Sequence, residues 1–352
     1  MTNKLRHILE KKPIEASAPC RIDMGGTLDI STFYYPLRRL SPCTFNIAIG
    51  HRTRVRLLPH YNDRIKISSR GFKSAEFSID RAPFGHPLGL MFAIAVYFNA
   101  KNVHIKIESQ SPPRSALGGS SAAAVALIAA LSKLQQQASS AEPLSRVQIA
   151  ILAHGLEESV AGVPCGLQDQ LAAIYGGVNA WAWPSGIKDP RYRKKMVLPK
   201  RWHKDLEKHL LLAYCGQPHE SKNINRRWVD QFLAGKFRNF WVEIVACTRQ
   251  FISQLAKRNF MKAAELMNRE TAVRRKLTPD VLNEIGVRLI KAAVTQQCGA
   301  RFTGAGGGGC IWALGNIKHI DSLKPIWEEI LSSENEGRLL DVKIDSQGLV
   351  VH

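Results

Sequence analysis

Between Val103 and Leu134 a strand pattern, a turn-rich loop and an apolar helix pattern follow one another without a break, and no other stretch limits the fold as much. Val103-His104-Ile105-Lys106-Ile107 alternates apolar with polar residues, the period of a half-buried strand. Ser111–Ser121 then collects prolines, glycines and serines, and Ala122–Leu134, dense in Ala and Leu without proline, predicts a buried helix. The loop Pro112-Pro113-Arg114-Ser115-Ala116-Leu117-Gly118-Gly119-Ser120-Ser121 has two readings. Its glycines let backbone N–H groups converge on an anion at the helix start, with serine hydroxyls for phosphate oxygen or a magnesium ion. Alternatively, Ser120 or Ser121 merely caps the helix.

A second cluster, Thr303-Gly304-Ala305-Gly306-Gly307-Gly308-Gly309, places five glycines among seven residues. That entropic cost is hard to justify unless a backbone must approach something closely. Its apolar flank Cys310–Leu314 favours a functional loop over a flexible hairpin. Neither loop is a Walker P-loop: Gly235-Lys236 is followed by Phe237 and lacks the upstream glycine. A dinucleotide fingerprint lacks its βαβ unit and ribose-binding acid, and protein-kinase signatures are absent. Between the two loops lies Gly162-Val163-Pro164-Cys165-Gly166-Leu167-Gln168-Asp169-Gln170. There Asp169 either is held by hydrogen bonds or caps the next helix. Glu157 and Glu158 close the preceding helix pattern, Leu144–Val160.

Elsewhere, strands are expected at Arg54–Leu58, Arg64–Ser68 and His209–Tyr214. Long amphipathic stretches cover Asn223–Arg258, Met261–Lys276 and Pro279–Gln297. Leu340–Ile344 and Leu349–His352, around a turn at Ser346–Gly348, predict a closing hairpin. The composition is α+β without the regular alternation of a doubly wound sheet. At 352 residues the chain exceeds one ordinary core. The proline- and charge-rich Pro184–Pro199 is the expected boundary, giving domains 1–190 and 191–352.

Hydrophobic and charged fractions of 45% and 22% exclude general disorder. No apolar run approaches the roughly 20 residues of a membrane helix, and the basic first dozen residues lack a signal's apolar stretch. A cytoplasmic protein without a membrane partner is expected. Seven scattered cysteines without a CxxC pair argue against zinc and a disulfide framework. A net charge of +20 suits nucleic acid, an anionic small molecule or a solvated surface. With no nucleic-acid motif beside it, the charge alone does not make a nucleic-acid binder.

Three segments in this order resemble the galactokinase/homoserine kinase/mevalonate kinase/phosphomevalonate kinase (GHMP) superfamily. Ala18-Pro19-Cys20-Arg21-Ile22-Asp23-Met24-Gly25-Gly26-Thr27-Leu28-Asp29 is similar to its N-terminal substrate motif, although about one residue shorter between Arg21 and Asp29. Ser111–Ala122 is similar to its phosphate loop, P-x-G-x-G-L-G-S-S-A, with Ala116 and Gly119 where Gly and Ser are usual. Arg301–Gly309 is similar to its third, glycine-rich motif. Leu156–Gln170 resembles the galactokinase stretch ending P-C-G-I-M-D-Q. The Gly-Leu-Gln-Asp-Gln form with Gly176-Gly177, and the segments Leu211–Asn223 and Met267–Leu277, resemble D-glycero-D-manno-heptose 7-phosphate kinases. Arg21-Ile22-Asp23 with Gly25-Gly26 resembles fucokinases.

The resemblance implies a two-domain α+β fold. Its N-terminal domain would be ribosomal-protein-S5-like with a mixed sheet, its C-terminal domain a ferredoxin-like α/β sandwich, and the site would lie between them. It implies an ATP- and Mg²⁺-dependent kinase acting on a hydroxyl, most simply the anomeric one, of a sugar or sugar phosphate. Asp169 would take or orient the acceptor's proton beside Arg21. Pro113, Leu117, Gly118, Gly119, Ser120 and Ser121 would bind ATP, with Gly304, Gly306 and Gly307 closing over it. Asp29, Gly25, Gly26, Gly166 and Gln168 would face the substrate, and Ser121 with Glu157 would hold Mg²⁺. A kinase for mevalonate or its phosphate and a catalytically silent sugar-and-ATP sensor are the alternatives, and a homodimer is compatible with the sequence.

Overall fold

The computed structural model describes every residue except 1, 140, 163, 185, 187 and 218–220, and for residues 2, 3 and 221–223 it describes the backbone alone. Val163 of the loop before Asp169, and 218–220 of Leu211–Asn223, therefore lie outside the described residues. The first half of the chain comprises α1 (Thr2–Lys11), β1 (Ile14–Met24), α2 (Ser31–Tyr34), β2 (Cys43–Pro59), β3 (Arg64–Ser69) and β4 (Ala75–Ser78). It continues with α3 (Gly89–Tyr97), β5 (Val103–Ser109), α4 (Gly119–Ser139), α5 (Arg146–Ala161), α6 (Gln168–Tyr175) and β6 (Val178–Ala182). Then come β7 (Arg193–Leu198), α7 (His203–Glu207), β8 (Leu210–Tyr214), α8 (Ser221–Leu233), α9 (Arg238–Ala256) and α10 (Phe260–Leu277). The end is built from α11 (Glu284–Thr295), β9 (Gly299–Phe302), β10 (Cys310–Leu314), α12 (Ile317–Leu331), β11 (Arg338–Leu340) and β12 (Val350–Val351).

The strands form two sheets. The larger runs β12-β1-β2-β5-β3-β4, with β6 added on β2 and β7 on β6. It is mixed, because β3 pairs parallel to β5 while the other pairs are antiparallel. The smaller sheet, β11-β8-β10-β9, is antiparallel. Strand alternation sorts side chains between cores. Leu210, Leu212 and Tyr214 of β8 join Ile22, Met24 and Phe45 in the core between the sheets, while Leu211 and Ala213 face Trp241 and Trp327 in the core under the smaller sheet. A third core packs α3, α4 and α5 on the larger sheet, and α4 is buried along most of its length, as its Ala-rich sequence predicts.

Two expectations are corrected. Asn223–Arg258 is two helices, because Gly235 and Phe237 both take left-handed backbone conformations between α8 and α9. No closing hairpin forms: β11 pairs with β8 in the smaller sheet and β12 with β1 in the larger. The segment between them is held by Arg52, whose guanidinium bonds the Asp345 carboxylate and the Gly348 carbonyl. The larger sheet therefore takes two strands from beyond position 190, β7 directly after β6 and β12 on the chain's return from the smaller sheet. Among the described residues no helix is long and apolar enough to cross a membrane.

Candidate active site

Alternation along β1 sends Cys20, Ile22 and Met24 into the core and turns Arg21 and Asp23 the other way. The backbone N–H of Arg21 donates to Leu117 O at 2.9 Å, tying β1 to the loop before α4. The Arg21 guanidinium then meets Asp169 as a fork, Nε to Oδ1 and Nη2 to Oδ2, both at 2.7 Å. Nη1 donates to Ala116 O at 2.6 Å and lies 3.5 Å from Asp23 Oδ1. Burial works against the Arg21 charge, but Asp169 and Asp23 outweigh it and raise its pKa. Bidentate pairs of this kind fix geometry as well as charge. Asp169 sits in the first turn of α6 after Leu167, so it does not cap that helix.

This pair lies on the wall of a cleft of about 420 Å³. On one side Pro113, Leu117, Gly118, Gly119, Ser120 and Ser121 line it. Gly118 has φ +75°, and a Cβ there would stand 3.4 Å from Asp169 Oδ2, so the loop backbone passes directly over the carboxylate. Helix α4 starts at once, with Ala122 N donating to Gly118 O at 2.9 Å. Ser121 does not spend its hydroxyl on capping: Oγ donates to Glu157 Oε2 at 2.8 Å, and Gln170 Nε2 donates to the same oxygen at 2.7 Å. Burial raises the Glu157 pKa.

Gly26, Asp29, Gly166 and Gln168 line the cleft as well. Asp29 Oδ2 accepts the Gln168 backbone N–H at 3.0 Å, while the buried Asp29 Oδ1 and Gln168 Oε1 have no hydrogen-bond partner among the described residues. Burial pushes the Asp29 carboxyl up to about 6. Gly166 makes room for it, since a Cβ there would fall 1.7 Å from Asp29 Oδ2. Two buried acceptors left without partners beside a cleft would gain from a hydroxyl donor that reaches them.

Not every expected residue reaches the cleft. Gly304 does, and a Cβ on it would stand 3.5 Å from Arg21 Nη2. Gly306 and Gly307 do not line it. Gly307 N donates to Val281 O at 2.7 Å, and a Cβ on Gly306 would fall 2.4 Å from that same oxygen. Gly25 is likewise packed, against Thr248 of α9.

Sequence reasoning missed how far the charges extend. Behind Arg21 a buried chain alternates in sign: Asp23 to Arg301 at 3.2 Å, Arg301 to Glu270 at 2.9 Å, Glu270 to Arg274 at 2.9 Å. Arg274 ends it on Gly26 O at 2.5 Å, and Asp23 Oδ1 accepts Gly304 N at 2.7 Å. Burial opposes the Glu270 charge, but its two arginines outweigh burial and lower its pKa. Thus β1, α10 and β9 lock the first and third motifs together under the acid. The i,i+4 spacing of Glu270 and Arg274 was the available signal. Asn225 of α8 also lines the cleft, and nothing in the sequence marked it.

A resident metal can be tested against these groups. Among the described residues no cluster of three or more His, Cys, Asp or Glu is built to hold an ion alone. Ser121 and Glu157 offer one hydroxyl and one carboxylate beside the phosphate loop, a hard-oxygen set that suits Mg²⁺ completed by phosphate oxygens and water.

Residues 89–177, from α3 through the phosphate loop and Asp169, match the GHMP kinases N terminal domain. The mevalonate kinase of Pyrococcus abyssi is 28% identical over 297 residues, covering 76% of this chain and 80% of that protein. Among solved structures, Lactococcus lactis galactokinase complexed with galactose superposes with a TM-score of 0.72 at 17% identity, over 99% of this chain and 98% of its own. A D-glycero-D-manno-heptose 1-phosphate kinase from Bacteriodes thetaiotaomicron gives 0.69 at 17% identity, covering 96% and 98%. The chain has the two-domain α+β fold of these proteins. Its residues 89–177 are thus similar to the N-terminal domain of the GHMP kinases, a class of ATP-dependent small-molecule kinases.

Proposed function

We propose that this protein transfers the γ-phosphate of ATP to a hydroxyl, the anomeric one first, of a sugar or sugar phosphate. One observation carries the reading: Asp169, forked to Arg21, sits under Gly118 in a cleft that Asp29 and Gln168 also line. Phosphoryl transfer asks a protein chiefly to align nucleophile and phosphate and to neutralise charge. In this reading the backbone N–H groups of Gly118, Gly119 and Ser120 receive the ATP phosphates at the start of α4. Asp29 Oδ1 and Gln168 Oε1 accept acceptor hydroxyls, and Gly26 and Gly166 shape that part of the cleft. Asp169 orients the attacking hydroxyl and takes its proton, held in place by the Arg21 fork, which also faces the charge developing on the transferred group. Ser121 and Glu157 would hold Mg²⁺, which supplies charge neutralisation on the phosphates when bound. The division into 1–190 and 191–352 and a cytoplasmic location belong to the same reading.

A second reading, a kinase for mevalonate, is favoured by the 28% identity to the archaeal enzyme. ADP release measured across free hexoses, heptoses, their phosphates and mevalonate separates the two. Sugar-dependent release is expected, release with mevalonate alone selects the second reading, and ATP and sugar binding without release would make the protein a sensor.

A further inference from the structure

Two arginines border the cleft and take no part in the arrangement above. Arg114 stands in the phosphate loop and Arg70 just after β3; both are exposed and both line the cleft. Their loops touch, because a Cβ on Gly71 would stand 3.1 Å from Pro113 Cγ. Among the described residues neither guanidinium has a hydrogen-bond or ion-pair partner. This sets them apart from Arg21, Arg274 and Arg301, which are buried and paired.

Arg114 also has φ +52°, in the left-handed region that favours glycine over any residue with a Cβ. An exposed, unpaired side chain in that conformation costs stability and returns no folding contact. Strain kept at a site points to a role in what the site binds. The cleft tells what that is: its lining also includes the apolar Phe72, Leu88, Met91 and Ile107, while the N–H groups proposed for phosphate lie four residues on at Gly118. A flat base would lie on those apolar side chains and leave its phosphates passing the two guanidiniums. Arginine's planar fork matches phosphate oxygens.

We propose that Arg114 and Arg70 form a two-sided clasp on the phosphates of the bound nucleotide. The clasp rests on the kinase reading, and its test can fail separately from that reading. Calorimetry with Mg-ATP, Mg-ADP and adenosine is run on the wild type, R114G, R114A and R70A, beside thermal melts. R114G is expected to melt higher than the wild type, since glycine relieves the left-handed strain, and yet to bind ATP and ADP about 10–100-fold more weakly with adenosine unchanged. R114A, which keeps the strain and loses the charge, should lose the same affinity without the rise in melting temperature. R70A should weaken ATP and ADP but not adenosine. Wild-type ATP and ADP affinity in R114G or R114A would overturn the clasp, as would an equal loss for adenosine. A wild type that binds neither ATP nor ADP would instead remove the kinase reading.

Discussion

The two glycine-rich loops look alike in sequence and are used differently. Pro112–Ser121 turns its backbone to the cleft, with Gly118 over Asp169 and Ser121 on Glu157. Gly304–Gly309 gives the cleft only its first two residues and presses the rest into neighbouring backbone: Gly306 onto Val281, Gly309 onto Ser115. Glycine permits close approach, but what approaches can be a ligand or another part of the chain. The first loop lines the cleft, and the second braces it from behind.

If so, changes on the open side should alter turnover and spare stability, and changes on the braced side should do the reverse. Asp169→Asn carries the largest effect: kcat should fall about 10²–10⁴-fold, the usual worth of a positioned acid–base group, with little change in melting temperature. Near-normal turnover would take Asp169 out of the chemistry. Gly306→Ala should cost about 2–4 kcal/mol, because its Cβ meets a carbonyl oxygen at 2.4 Å in a left-handed conformation. Chemical denaturation reads this, and the ATP KM of the folded fraction should stay as it was. A raised KM with unchanged stability would put the second loop on the nucleotide after all.

A pH series tests the substrate end. The folded pKa of Asp29, about 6, lies above its ordinary 3.8 because burial disfavours the charge. The unfolded chain thus releases this proton first, and stability attributable to Asp29 falls as pH rises from about 4 through 6, by about 3 kcal/mol. Asp29→Asn should flatten that fall. In the wild type, the acceptor KM should improve over the same pH window as the ionised Oδ1 becomes available. Gly118→Ala is the smallest change: its Cβ has ordinary contact room, so stability should drop by about 1 kcal/mol while turnover falls roughly tenfold from misplaced phosphate. Equal stability losses in Gly118→Ala and Gly306→Ala would erase the contrast between the loops.

Local pattern carried the strand, loop and helix from Val103 onward, because each signal there agrees with its neighbours. The pairing of Arg21 with Asp169, 148 residues apart, came from motif resemblance; no periodicity encodes it. The packing of Gly306, the route of the C-terminal strands to different sheets and the charge chain through Glu270 and Arg301 were illegible for one reason. Each is decided by which distant backbone or charge arrives opposite, and composition at one position does not report that. Arg114 escaped notice similarly, since its significance lies in a dihedral angle and an absent partner.

The central claim is that ATP and its acceptor meet across Asp169 beneath the first glycine loop. A crystal structure with Mg²⁺, a non-hydrolysable ATP analogue and the acceptor identified by ADP release tests it most directly. The terminal phosphate should rest on the backbone of Gly118–Ser121, with one acceptor hydroxyl about 3 Å from the Asp169 carboxylate. A nucleotide seated away from Gly118, or an acceptor whose hydroxyls all turn from Asp169, would contradict the account.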